Sequence, residues 1–312
     1  MASQLDAAVH VGVEDNYGDR AEPDRSFEAQ EDVASRDVEH LESPGRRAGM
    51  QTLRADRRRV INHGASGTFT VDVLTKGFGR MLKAALGDST IDGTEQTHTT
   101  KNLEPGDSLT VQVVRPEVGG ELRAWDYLGG IVSEFNLSQE NDGLLVAELE
   151  LDFQDEQKAD SIATASYPDG VPFGWPDCTL TLDGQTLEQF EEFSLSWDWN
   201  LKTGRRFLRG NELKKRPIVQ GPPEGEGELV GEFAGLDVWE AFKDGSVLEL
   251  KAEWEHDGAT LAVRLPAVQF NGSTPQIQED DVAQQEAGFR ILDPGGDEPA
   301  IEITYTTDDE DF

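Results

Sequence analysis

The chain repeats itself, and that repeat restricts what it can fold into more than any single motif does. A stretch with the same grammar begins around Gly45-Arg46-Arg47 and again around Gly204-Arg205-Arg206. Glu31-Asp32-Val33 answers to Glu191-Glu192-Phe193, and Leu41 to Leu201. The basic run Arg57-Arg58-Arg59-Val60-Ile61-Asn62-His63-Gly64 answers to Lys214-Lys215-Arg216-Pro217-Ile218-Val219-Gln220-Gly221. Gly67 and the strand after it match Gly227 and its strand, and each strand leads into a short amphipathic helix. Late in each half stands a shared signature, Phe135-Asn136-Leu137-Ser138 against Phe270-Asn271-Gly272-Ser273. Offsets of roughly 160 residues fall to about 135 because the first half carries an extra loop, the place where insertions collect. A duplicated domain suits a chain that fills two equivalent positions in a symmetric assembly, which points to architecture rather than catalysis.

At 312 residues, each half is long enough to bury its own core. The formal net charge is -35, with 62 acidic against 27 basic residues, yet 36% of the chain is hydrophobic and it holds six Trp and 14 Phe. Disordered acidic chains lack such core-building residues, so this one folds. Acidic residues fill nearly every polar stretch rather than one face. That distribution fits a protein built for high salt, where self-repulsion is screened. It argues against a general affinity for nucleic acid. The single cysteine, Cys178, excludes an intramolecular disulfide and reads as a small buried hydrophobe at a strand start. The opening Met1-Ala2-Ser3-Gln4-Leu5-Asp6 has neither the basic nor the apolar segment of a secretion signal. No apolar run approaches the roughly 20 residues that cross a bilayer. The expectation is assembly inside a cell, without membrane insertion.

Residues 1–25 read as an N-terminal arm, 26–160 as a first domain, 161–178 as a Pro/Gly-rich linker pinned by its aromatics, 179–307 as a second domain and 308–312 as an acidic, solvated tail. Strand signals lie at 68–73, 108–114 and 144–153. In the last of these, Ala147, Leu149, Leu151 and Phe153 alternate with Glu148, Glu150 and Asp152, the period of a strand with one dry and one wet face. A helix is predicted over 76–86, with Phe78, Met81, Leu82 and Leu86 on its apolar stripe and Gly87 as its stop. Its partner spans 236–242, with Leu236, Trp239 and Phe242 as the stripe and Gly245 beyond. Each domain is therefore mainly β with one packed helix. The Thr-, Gly- and Asp-rich stretch 89–107 reads as a loop without a counterpart in the second half.

Thirteen of the 27 Lys and Arg residues fall in two corresponding windows: Arg46, Arg47, Arg54, Arg57, Arg58 and Arg59, then Lys202, Arg205, Arg206, Arg209, Lys214, Lys215 and Arg216. In so acidic a chain, two basic islands at equivalent positions read as long loops that dock on an acidic face of another copy. Interleaved aromatics, which a nucleic-acid site would need, are limited to Phe207. Glu148, Glu150 and Asp152 either line a channel or form an ordinary solvated face. His10, His40, His63, His98 and His256 show no metal-ligand spacing, and no cofactor is implied. Gly77-Phe78-Gly79 lacks the rest of a phosphate-binding fingerprint, no nucleophile elbow is present, and carboxylate pairs are too abundant to signify acid–base chemistry. The sequence therefore offers no enzymatic constellation. Asn136-Leu137-Ser138 and Asn271-Gly272-Ser273 fit the glycosylation pattern but read as strand-end turns of the repeat.

Several passages in this order resemble the tail tube proteins of long-tailed viruses. They are Val13-Glu14-Asp15-Asn16-Tyr17-Gly18, Gly77-Phe78-Gly79, Leu180-Thr181-Leu182-Asp183-Gly184, the strands at 193–201 and 227–233, and Leu265-Pro266-Ala267-Val268-Gln269-Phe270. The resemblance rests on order and spacing over nearly the whole chain. It implies two tandem copies of a tail-tube β-sandwich or barrel domain, each flanked by one α-helix. It further implies rings whose inner sheets close around a lumen that passes DNA. With two domains per chain the ring becomes a homotrimer with pseudo-sixfold symmetry, stacked head to tail into a tube. The basic windows carry over as loops acting between rings or within one. Partners would be further copies, together with tape-measure, terminator and baseplate components, in a virion tail assembled in the host cytoplasm. The acidity implies a host that is a halophilic archaeon or bacterium. A tandem β-sandwich surface or carbohydrate-binding protein is the alternative, although Trp125 has no repeated aromatic counterpart. A minor tail adaptor or terminator of the same fold is another.

Overall fold

A computed structural model describes residues 6–271 and 283–309, and strands dominate it. The first half runs β1 (Ala8–Val13), β2 (Arg25–Phe27), β3 (Ala29–Asp32), β4 (Ser35–Glu42), β5 (Arg58–Asp72), α1 (Gly79–Leu86), β6 (Asp88–Asp92), β7 (Glu95–Thr99), β8 (Leu109–Pro116), β9 (Leu122–Glu140), β10 (Val146–Phe153) and β11 (Asp155–Lys158). The second runs β12 (Cys178–Leu182), β13 (Gln185–Leu187), β14 (Phe190–Asp198), β15 (Leu201–Lys202), β16 (Ile218–Val219), β17 (Glu224–Glu232), α2 (Asp237–Asp244), β18 (Val247–His256), β19 (Ala259–Phe270), β20 (Gln284–Ile291) and β21 (Glu302–Thr306).

All pairings between these strands are antiparallel. In the first half one layer is ordered β2-β1-β8-β9-β11, and the later part of β9 leaves it to join β10, β5 and then β3 with β4. In the second half one layer is ordered β13-β12-β18-β19-β21, and the end of β19 joins β20, which pairs with β17 and then β14. The two halves meet edge to edge. β14 pairs with β9 over seven residues, from Glu192 opposite Glu140 to Asp198 opposite Glu134. One sheet thus crosses the chain in the order β3/β4-β5-β10-β9-β14-β17-β20-β19.

Alternation builds the core. The inward residues Phe135, Leu137, Leu149, Leu151, Phe193 and Leu195 are all buried, and the apolar cluster runs continuously through both halves. Trp199 is fully buried, and its indole N–H donates to the carbonyl of Ala85 at the end of α1 (2.7 Å), tying the second half to the helix of the first. On β17 glycine takes the inward positions at Gly225, Gly227 and Gly231, and Leu229 the one between. A Cβ on Gly227 would lie 2.3 Å from the Phe289 ring, and one on Gly225 would lie 2.8 Å from Trp197. Those glycines leave room for aromatic side chains from the neighbouring strands. Gly67 of β5 lies opposite Leu151, and Gly225 of β17 opposite Ile291.

The three strand signals become parts of β5, β8 and β10. Elsewhere the structure departs from expectation. Helix α1 starts at Gly79 rather than at 76, because Gly77 sits at φ 83°, outside the helical region. Phe78, Met81, Leu82 and Leu86 are buried as the stripe requires. In α2 the buried residues are Val238 and Ala241, with Phe242 of the expected stripe packed partly buried against the core, while Leu236 precedes the helix and is half exposed. The stretch 89–107 is no plain loop: β6 and β7 form a hairpin, and β7 pairs with β21 of the other half. Within the expected arm, β1 is a strand between β2 and β8, with Val9 and Val11 buried. In the stretch expected as a linker, Phe173 is fully buried, whereas Tyr167 and Trp175 are exposed. Asn136-Leu137-Ser138 lies inside β9 and is no turn. Gly272 and Ser273 of its partner lie outside the described residues, as do Met1 to Leu5 and the tail residues Glu310, Asp311 and Phe312.

Candidate assembly surfaces

The outward positions of the crossing sheet are acidic. Glu150 lies opposite Glu134, Glu134 opposite Asp198, and Asp198 opposite Glu224, so four carboxylates stand side by side across four strands. The next row runs Thr70, Glu148, Asn136, Ser196, Glu226 and Arg290. Thr70, Asn136, Glu148, Ser196 and Glu226 line one shallow depression, so the face is dished along this row. Like charges directly opposite on adjacent strands repel. Burial, followed by Glu134, Asp198, Glu148 and Asp152, pushes the Glu150 carboxyl above its ordinary range. Some relief is local: the Ser196 hydroxyl donates to Glu134 (3.1 Å), and the Asn136 amide to Glu148 (3.4 Å).

Of the three acidic residues singled out on β10, Glu148 and Glu150 are exposed on this face. Asp152 is not: it pairs with Lys214, whose side chain is also buried. Burial outweighs the Lys214 charge and raises the Asp152 carboxyl. Sequence reading missed the rest of the rows, although Glu224-Gly225-Glu226-Gly227-Glu228 carried the period-two signal.

The two basic windows adopt different shapes. β4 and β5 form a long hairpin, every residue of β4 is exposed, and Arg46, Arg47, Arg54, Arg57, Arg58 and Arg59 occupy its outer end. There Arg58 bonds Glu42 across the strands (3.0 Å), and Arg54 bonds Asp56 (2.7 Å). The second window folds back on the chain. Arg206 donates to the carbonyl of His63 (3.0 Å), Arg216 to that of Gly106 (2.7 Å), and Arg205 to that of Arg216 (2.6 Å). The Lys214 carbonyl accepts from Gln154 (2.9 Å). Lys202, Arg209 and Lys215 remain exposed, with Lys215 over the Phe207 ring. The structure therefore brings Arg206, Lys214 and Arg216 together against the first half and leaves the first window standing clear. No group of His, Cys, Asp or Glu among the described residues could hold a metal ion. No described helix is long and apolar enough to cross a membrane.

Comparison with known proteins supplies the remaining observation: the profile of the phage tail tube protein family matches residues 4–291, nearly the whole chain. The chain belongs to the phage tail tube protein family. No curated individual protein matches it. Membership assigns a structural role in the virion tail, in a family that is not one of enzymes, and brings self-assembly and contact with other tail components. For a tail tube protein, the sheet with one apolar and one acidic face and the projecting basic hairpin are the surfaces on which assembly can act.

Proposed function

We propose that this chain builds the tail tube as stacked rings of three copies, each copy contributing two tube units. The observation that carries this reading is the antiparallel joint between β9 and β14, where two halves of matching strand order already join edge to edge. Repeating that joint between copies gives a ring of six units from three chains, with the dished acidic face turned to the lumen. Glu148, Glu150, Glu134, Asp198, Glu224 and Glu226 then line the channel. Double-stranded DNA passes without adhering, because the one cation in these rows, Arg290, lies against Glu224 (3.8 Å) and the phosphates otherwise meet carboxylates and neutral groups. The basic hairpin carrying Arg57, Arg58 and Arg59 reaches the acidic surface of the adjacent ring, and head-to-tail repetition of that contact yields an open filament. The acidity spread over the whole surface suits assembly at high salt, as in a virus of a halophilic host.

Electron microscopy of the purified chain in molar salt tests the proposal. Stacked rings with threefold subunit boundaries are expected. A persistent monomer, or rings of six separate chains, overturns it.

A further inference from the structure

We infer that the joint between copies reuses the register of the joint inside the chain, placing Asn271 at the end of β19 opposite Val33 of the next copy. The inference rests on the ring reading above and assigns it an interface. β3 and β4 pair with β5 alone among the described residues, so their outer edge is open, and Val33, Val38 and Leu41 are exposed along it. At the far end of the sheet, β18 covers β19 as far as Gln269, which lies opposite Val247. On that side Phe270 and Asn271 have no strand partner among the described residues. An open edge is a template for another strand. The two edges cannot meet within one chain. Six strands separate them, and at the usual strand spacing of about 4.8 Å they stand roughly 34 Å apart. Each edge therefore fits the opposite edge of a second copy.

Strand register fixes the alignment. Phe135 pairs with Leu149 as Phe270 pairs with Phe289, so Asn271 holds the place of Asn136. Phe69 lies opposite Leu149 as Gly227 lies opposite Phe289. Three residues earlier, Ser66 pairs with Ser35 and Glu224 with Asp198, so Ser35 holds the place of Asp198 and Val33 that of Ser196. Inside the chain Ser196 lies opposite Asn136. Two features stop the new joint at the same place from both sides. Val247 already occupies the edge at Gln269, and the Ala34 carbonyl is turned inward to Arg115 (2.9 Å) and Tyr127 (3.1 Å). The pair at Ser35 and Gln269, present inside the chain as Asp198 and Glu134, is therefore absent between copies.

Because the Trp199 amide donates to Ser133 (3.0 Å), Ser196 and Asn136 form a non-hydrogen-bonded pair. Side chains at such pairs are closest, with Cα atoms about 4.5 Å apart, within reach of a disulfide. The test is the Val33→Cys/Asn271→Cys double variant, assembled in molar salt and treated with a mild oxidant. The native Cys178 thiol is half buried and pushed up to about 12, so it competes poorly. Non-reducing gels should show covalent dimers and trimers from the double variant and monomer from either single variant. A Val33→Cys/Gln269→Cys pair, two residues out of register, should give at least tenfold less product. Rings visible by microscopy without the Val33–Asn271 crosslink, or stronger crosslinking by the shifted pair, overturn the register and leave the ring standing. Absence of both rings and crosslinks overturns the two together.

Discussion

His98 is fully buried, and neither ring nitrogen has a hydrogen-bond partner among the described residues. Burial, helped by the Lys83 charge, pushes its pKa down to about 4. The folded chain therefore holds a neutral ring, while the unfolded chain protonates near the ordinary value of 6.5. Between those values the unfolded state binds more protons, so stability is full above pH 6.5 and falls as pH drops towards 4. The shift implies a loss on the order of 2 kcal/mol between pH 7 and pH 5 from this one group. Urea denaturation of the native chain and of His98→Leu at both pH values measures it. The native chain should lose about 2 kcal/mol more than the variant, and equal losses would show that the ring is solvated or paired. Nothing in Thr97-His98-Thr99 announces this burial. It depends on β7 pairing with β21, more than two hundred residues later in sequence, and periodicity cannot report so distant a pairing. The buried pair of Asp152 with Lys214 was hidden for the same reason. Both residues were marked in the sequence, one for a wet strand face and one for a basic loop, and only folding back of the second window joins them.

Elements with a strong local period were the most legible. β10 follows from its alternation and α1 from its stripe, because in both the burying partner is predictable from one side of the element alone. α2 was harder: Leu236, Trp239 and Phe242 outweigh Val238 in bulk, yet Trp239 sits beside the Lys243 ammonium (5.3 Å) and leaves the buried positions to Val238 and Ala241. The β4–β5 hairpin poses a question of its own, since six Arg lie at one end of an element whose β4 strand is wholly exposed. Such residues contribute little to stability, because exposed ion pairs are worth about 0–1 kcal/mol. Reversing Arg57, Arg58 and Arg59 to Glu should therefore leave the chain folded, lowering stability by about 1 kcal/mol, because Arg58→Glu sets a carboxylate opposite Glu42. Stacking should still be lost, so the expected product is single rings rather than tubes. Microscopy beside a thermal melt separates the outcomes. Normal tubes from the folded variant would remove the hairpin from the stacking contact.

For the whole molecule, charge and architecture act against each other. A net charge of -35 resists compaction everywhere, but the crossing sheet concentrates the repulsion by placing Glu150, Glu134, Asp198 and Glu224 in one row. Neighbouring side chains in such a row are about 5 Å apart at Cβ. That is half the Debye length of about 10 Å at 0.1 M salt, yet beyond the roughly 3 Å reached at 1 M. Salt should therefore act on this row more strongly than on scattered surface acids, and the row crosses the β9–β14 joint on which the ring reading depends. The melting temperature of the native chain should rise steeply from 0.1 M to 2 M KCl. Glu134→Gln combined with Asp198→Asn should raise stability at 0.1 M by about 1 kcal/mol, the scale of opposed cross-strand pairs, and flatten the slope. Ser196 and Asn136 remain in place in that variant, so the joint keeps its neutral contacts. If the two slopes run parallel, the salt response belongs to the net charge as a whole rather than to the row. Ring closure would then depend on ionic strength only through overall repulsion between copies.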